Sequence, residues 1–93
     1  MREFWERYPD ARVPLMHWWK VACHADWRSF ADVRATFRSA DQMRINGKTI
    51  VVFNIHGNAY RLAAAIHHDR RKVFIREVMT HIEYSRETWK ERI

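Results

Sequence analysis

Between residues 42 and 79 the chain reverses direction three times, each time with too few residues to carry a crossover. Asn46-Gly47 separates Met43-Arg44-Ile45 from Thr49-Ile50-Val51-Val52-Phe53, and this dipeptide favours the left-handed backbone of a two-residue hairpin. Gly57-Asn58 and Asp69-Arg70-Arg71-Lys72 mark the next two reversals. Strands joined by turns this short can pair only antiparallel, so the segment is predicted to form a small antiparallel sheet of about three to four strands. Ahead of it the apolar residues follow helical spacing: Phe4, Trp5 and Tyr8; then Leu15, Trp18, Trp19 and Ala22 behind Pro14 in a first turn; then Phe30, Val33 and Phe37 behind Ser29 as N-cap. Three short helices are expected, the first ended by Pro9. No repeat, low-complexity tract or linker divides the 93 residues. The expectation is therefore one α+β domain over residues 1–93, with the N-terminal helices packed on one face of the sheet. Residues 82–93 fit a short charged helix or a frayed end.

The charge balance narrows the partners. With 17 Lys+Arg against 11 Asp+Glu, the formal net charge is +6, an excess that concentrates polyanions around the surface. Nucleic acid or the ribosome is the favoured partner, although an acidic protein would feel the same field. The lone Cys23 cannot form an intramolecular disulfide, which points to a reducing compartment. No apolar run approaches the ~20 residues that span a bilayer, and Met1-Arg2-Glu3-Phe4-Trp5-Glu6-Arg7 carries acids where a signal peptide has an apolar region. A cytoplasmic protein with no membrane partner is expected.

Two strand segments each carry an arginine inside an apolar run: Arg61 within Tyr60-Arg61-Leu62, and Arg76 within Phe74-Ile75-Arg76. Such an arginine must meet an anion or face water. Just after the second segment come His81 and Tyr84, and the four side chains together match what cleaving an RNA phosphodiester requires. A 2′-hydroxyl must lose a proton, the extra charge at phosphorus must be neutralised and the 5′-oxygen must gain a proton. Histidine, with an ordinary pKa of about 6.5, exchanges protons near neutrality, while arginine offers a permanently charged fork. Tyr84 could donate to the leaving group or stack a base. The alternative is that His81 and Tyr84 only cap a strand end. Asn54, His56, Asn58 and Lys72 are the candidates for RNA contact, and His56 fits a polar turn residue equally well. Six histidines raise the question of a metal, but Cys23-His24 and His67-His68 are adjacent pairs rather than ligand spacings, so no metal site is expected. Trp18, Trp19 and Trp27 could stack bases. Core packing is the default for them, with at least one of Trp18 and Trp19 buried against the sheet.

Longer motifs add to this. Val52-Phe53-Asn54-Ile55, Gly57-Asn58, Tyr60-Arg61-Leu62, Ile75-Arg76, Thr80-His81 and Glu83-Tyr84, with Arg2-Glu3-Phe4-Trp5-Glu6 and Pro9-Asp10-Ala11 upstream, strongly resemble the HigB toxins of bacterial toxin–antitoxin pairs over nearly the whole chain. The resemblance implies a RelE-like α+β fold and a metal-independent, cofactor-free endoribonuclease acting on mRNA, usually on the ribosome. It also implies neutralisation by a HigA-like helix-turn-helix antitoxin, through which oligomers form. Arg61, Arg76, His81 and Tyr84 fall on the matching motif positions and are the implied catalytic set. Two departures stand out. Relatives carry a short strand ahead of the Arg-Glu-Phe-Trp segment, where Met1 falls here, and without it a neighbouring strand edge would be open to pairing. The usual Glu-Tyr-Asp reads Glu83-Tyr84-Ser85, and reduced activity is expected if that acid positions a neighbour. The competing functional readings are a non-catalytic RNA- or ribosome-binding module and a subunit that contacts only protein.

Overall fold

Four strands in the order β1 (Asp41–Ile45), β2 (Lys48–Ile55), β3 (Tyr60–His67) and β4 (Lys72–Thr80) form one antiparallel sheet in a computed structural model that describes residues 1–93. The hairpin at Asn46-Gly47 has both residues at positive φ, 51° and 76°, with Ile45 opposite Lys48. This is the geometry that makes asparagine and glycine the residues of choice there. Four-residue turns make the other two reversals, from Ile55 to Tyr60 and from His67 to Lys72.

Three helices precede the sheet: α1 (Arg2–Arg7), α2 (Arg12–His24) and α3 (Phe30–Thr36), with a single turn of 3-10 helix at Pro9–Ala11 between the first two. Ser29 occupies the N-cap position of α3 without a side-chain cap bond; the Asp32 carboxylate instead accepts from the Arg28 backbone N–H at 3.0 Å. The helices cover one face of the sheet. There Leu15, Trp18, Ala22, Trp27 and Val33 pack onto Val51, Phe53, Ile55, Leu62 and Ala64. Phe53 is the centre of this layer, with Trp18, Trp27 and Phe37 rings at 5.2, 6.0 and 5.4 Å. Trp18 is buried while Trp19 is 47% exposed, so packing rather than base stacking accounts for the first.

The second face is not left open. After β4 the chain forms α4 (His81–Arg86) and a 3-10 segment at Thr88–Arg92, and Trp89, fully buried, closes over Ile45, Ile50, Val52, Ala63 and Met79. Residues 82–93 are therefore neither frayed nor merely a charged helix. They supply the second core. β1 and β4 form the edges of the sheet. In β4 the pairing slips by one: Ala63 faces Glu77 and Ala64 faces Ile75, so Arg76 is the extra residue of a β-bulge. No helix is long and apolar enough to cross a membrane.

Candidate active site

The sheet end formed by the β2–β3 turn and the β4–α4 junction gathers most of the chemistry. Arg61 stands on β3 and is only 8% exposed, the one polar or charged residue inside. A buried guanidinium must have its charge answered, and three donations do so. Nη1 donates to the carbonyls of Asn58 (3.3 Å) and Tyr60 (3.1 Å), and Nη2 donates to Asn58 Oδ1 (2.8 Å). Its guanidinium carbon lies 5.4 Å from the centre of the Tyr84 ring, a cation–π contact. Of the five N–H donors an arginine carries, the one on Nε and one on Nη2 have no protein acceptor. These two can meet an anion without disturbing the contacts that hold the group.

Tyr84 has a second aromatic partner. Its ring stacks on Trp89 at 5.5 Å and 24°, and the Trp89 indole N–H donates to the Tyr84 carbonyl at 3.1 Å. The helix that carries it begins with a reciprocal cap: the Thr80 hydroxyl accepts from the Glu83 N–H (3.2 Å), and the Glu83 carboxylate accepts from the Thr80 N–H (3.0 Å). Glu83 is thereby a structural acid at the helix start. His81 is the first residue of α4, with an exposed ring that makes no hydrogen bond inside the protein, and its backbone N–H donates to Ala59 O at 3.0 Å. That bond brings the turn carrying Asn58 against the helix carrying Tyr84. Arg61, Asn58, His81 and Tyr84 thus lie in one contiguous group.

The remaining candidates spread outward. Asn54 is opposite Arg61 in the β2–β3 register and exposed, so it extends the same face. Arg76 is exposed, carries no ion-pair partner and, through the bulge, lines a depression with Lys48, Ala65 and His67. It stands along the strand from the Arg61 group, about 13 Å from Thr80 at the usual rise. His56 turns the other way, with Nε2 at 3.7 Å from Asp10 Oδ2. Lys72 opens β4, the far end of the strand from Thr80, about 26 Å away, and does not join the group. No three His, Cys, Asp or Glu side chains come together as a metal-ligand set.

Residues 11–87 match the profile of the HigB toxin family, described as the RelE-like toxic component of a toxin–antitoxin system. The chain is also 33% identical over 79 residues to the mRNA interferase toxin HigB of Escherichia coli and to the mRNA interferase HigB of Shigella flexneri, covering 85% of this chain and 75% of each relative. The chain belongs to the HigB family. The HigB match takes in Arg61, Arg76, His81 and Tyr84 together, and the α+β architecture agrees with the RelE-like fold. Two residues that the sequence motifs leave without a role, Asp10 and Trp89, lie outside the matched HigB region; Asp10 accepts a hydrogen bond from Tyr60 and pairs with His56, and Trp89 packs against Tyr84. The capping box was open to recognition in the HigB motif itself, because Thr80-x-x-Glu83 has its spacing. Nothing local in Thr88-Trp89-Lys90-Glu91-Arg92 announces a core residue.

Proposed function

We propose that this chain is an mRNA interferase, an endoribonuclease toxin that cleaves mRNA on the ribosome by attack of the 2′-hydroxyl on the adjacent phosphorus, without a metal or other cofactor. The observation that carries this reading is the buried Arg61 fork, held by Asn58 and in cation–π contact with Tyr84, with two donors left for an anion. Those donors suit the non-bridging oxygens of a phosphodiester and strengthen as charge builds in the transition state. Arg76, exposed farther along the neighbouring strand, neutralises a flanking phosphate. His81, exposed at the helix start, exchanges the proton at the 2′- or 5′-oxygen. Tyr84 orients Arg61 and offers its ring to a base. Asn54 and Asn58 border the path of the strand. The family description supports an antitoxin as the neutralising partner, and the +6 charge suits an acidic one; a HigA-like helix-turn-helix type and action in the cytoplasm extend that reading.

The products test the chemistry. Cleavage in a translating extract should leave a 2′,3′-cyclic phosphate or 3′-phosphate and a 5′-hydroxyl, and a 5′-phosphate would sink the 2′-hydroxyl mechanism. His81→Ala and Tyr84→Phe change little charge near neutral pH. Both should bind RNA or ribosomes within about threefold of wild type while cleavage falls by ~10²–10⁴, more for His81→Ala. A protein that binds RNA but cuts none under any of these conditions would be the non-catalytic module instead.

A further inference from the structure

The β2–β3 turn, His56-Gly57-Asn58-Ala59, is held from two sides. On the sheet's second face Asn58 holds Arg61, and the Ala59 carbonyl accepts from the His81 N–H. On the helix side Asp10, from the Pro9–Ala11 turn, reaches both ends of the same turn. Its Oδ1 accepts a hydrogen bond from the Tyr60 phenol, and its Oδ2 lies 3.7 Å from His56 Nε2. His56 and Tyr60 stack at 6.3 Å and 22°, and the α1 ring of Phe4 and the neighbouring Tyr8 close on Tyr60 at 5.3 and 5.6 Å. His56 adopts φ +53°, a left-handed conformation uncommon among non-glycine residues although histidine takes it more readily than most. Asp10 is the one carboxylate paired with that side chain.

We propose that Asp10 is a positioning residue for the site: it clamps the turn between His56 and Tyr60, so that Asn58 stays on Arg61 and the guanidinium keeps a single aim. The proposal rests on the reading of Arg61 as the phosphate-binding fork. Every hydrogen bond that holds Arg61 comes from Asn58 or Tyr60, and Asp10 grips Tyr60 directly and the turn containing Asn58 through His56. Release of the clamp leaves the charge in place and loses the alignment. Positional disorder of a transition-state contact lowers the chemical rate more than it lowers binding.

The experiment uses the full chain and four variants: Asp10→Ala, Asp10→Asn, Asn58→Ala and the Asp10→Ala/Asn58→Ala double. In a purified translation system, Asp10→Ala should cut the single-turnover cleavage rate about tenfold with half-saturation unchanged within about twofold. Asn58→Ala should do the same, and the double variant should lose no more than either alone, because both act through one contact. Asp10→Asn keeps an acceptor for Tyr60 but not the charge beside His56, and should fall between wild type and Asp10→Ala. A second readout does not depend on cleavage. In ¹⁵N–¹H spectra of the RNA-free protein, the Arg61 guanidinium protons should be resolved and slowly exchanging in wild type, and averaged in Asp10→Ala. Should Asp10→Ala fail to fold, Asp10→Asn and Tyr60→Phe carry the same spectral test. Multiplying losses in the double variant, or Arg61 signals unchanged when the clamp is cut, would overturn the proposal. Averaged Arg61 signals in a protein that cleaves no RNA would uphold the clamp and count against the ribonuclease reading.

Discussion

Arg61 and Arg76 bring the same charge into neighbouring strands, but burial separates them. Arg61 is inside and bonded three times, whereas Arg76 sits exposed in a bulge with no partner. Arg61→Ala strands Asn58 Oδ1 and removes the face that Tyr84 packs on, so chemical denaturation should report a loss of about 1–3 kcal/mol. Arg76→Ala should stay within about 0.5 kcal/mol of wild type. Cleavage should fall by roughly 10²-fold or more in both, and a stability loss in Arg76→Ala equal to that of Arg61→Ala would return Arg76 to a structural role. Tyr60 sets a pH dependence. Its hydrogen bond to Asp10, then burial, then the Asp10 charge hold its pKa up to about 12 against the usual 10. Below pH 10 the folded and unfolded chains both keep the phenol proton, and the contribution to stability is whole. Above it the unfolded chain releases a proton that the folded chain retains, so stability declines between about pH 10 and 12. Ultraviolet titration should find one of the three tyrosines ionising near pH 12, and Asp10→Ala should bring it down toward 10; an unmoved titration in that variant would assign the shift to burial alone.

At the scale of elements, α4 is too short to be stable by itself, since isolated helices need roughly 12–15 residues to be even marginal in water. The Thr80–Glu83 box fixes its start, and Trp89 anchors the 3-10 segment beyond its end. That segment therefore holds the candidate Tyr84 as well as the core, because the Trp89 ring stacks on Tyr84 and its N–H bonds the Tyr84 carbonyl. Trp89→Ala should cost about 3–5 kcal/mol, the range for deleting a buried large ring. Trp89→Phe keeps most of the apolar contact and should lose far less. If Tyr84 depends on this backing, cleavage should fall in Trp89→Ala at temperatures where the protein is still folded. Full activity of the folded variant would mean that Arg61 alone keeps Tyr84 in place.

For the molecule as a whole, the sheet divides the labour between its faces. Aromatic rings from the helices fill one face, and the other carries the second core and the cationic site. With a net charge of +6, RNA binding should weaken with salt through counterion release. Two phosphate contacts on a single strand, from Arg61 and Arg76, predict a fall of about 7-fold in affinity between roughly 50 and 200 mM salt. A binding curve insensitive to salt would point to a protein partner for this face.

The reversals at Asn46-Gly47 and Gly57-Asn58, the three helices and the core spacing of Trp18 were legible in the sequence because each depends on neighbours within a few residues: a φ preference, a turn length, a 3.6-residue period. The same holds for Arg61, Arg76, His81 and Tyr84 as candidates, which lie in motifs whose chemistry needs no coordinates to recognise. The contacts that hold Arg61 and Tyr84 in place reach across the chain. Tyr60 meets Asp10 fifty residues away, and no local pattern encodes that distance. The bulge at Arg76 leaves no mark in the sequence, since one extra residue in a strand reads as strand. Trp89 lies in a charged stretch without an apolar repeat, and it is buried because the second face of the sheet needs a cover. Local preferences determined the elements and the chemical types; only the packing of both sheet faces decided which arginine is buried, which is free, and what holds the buried one in place.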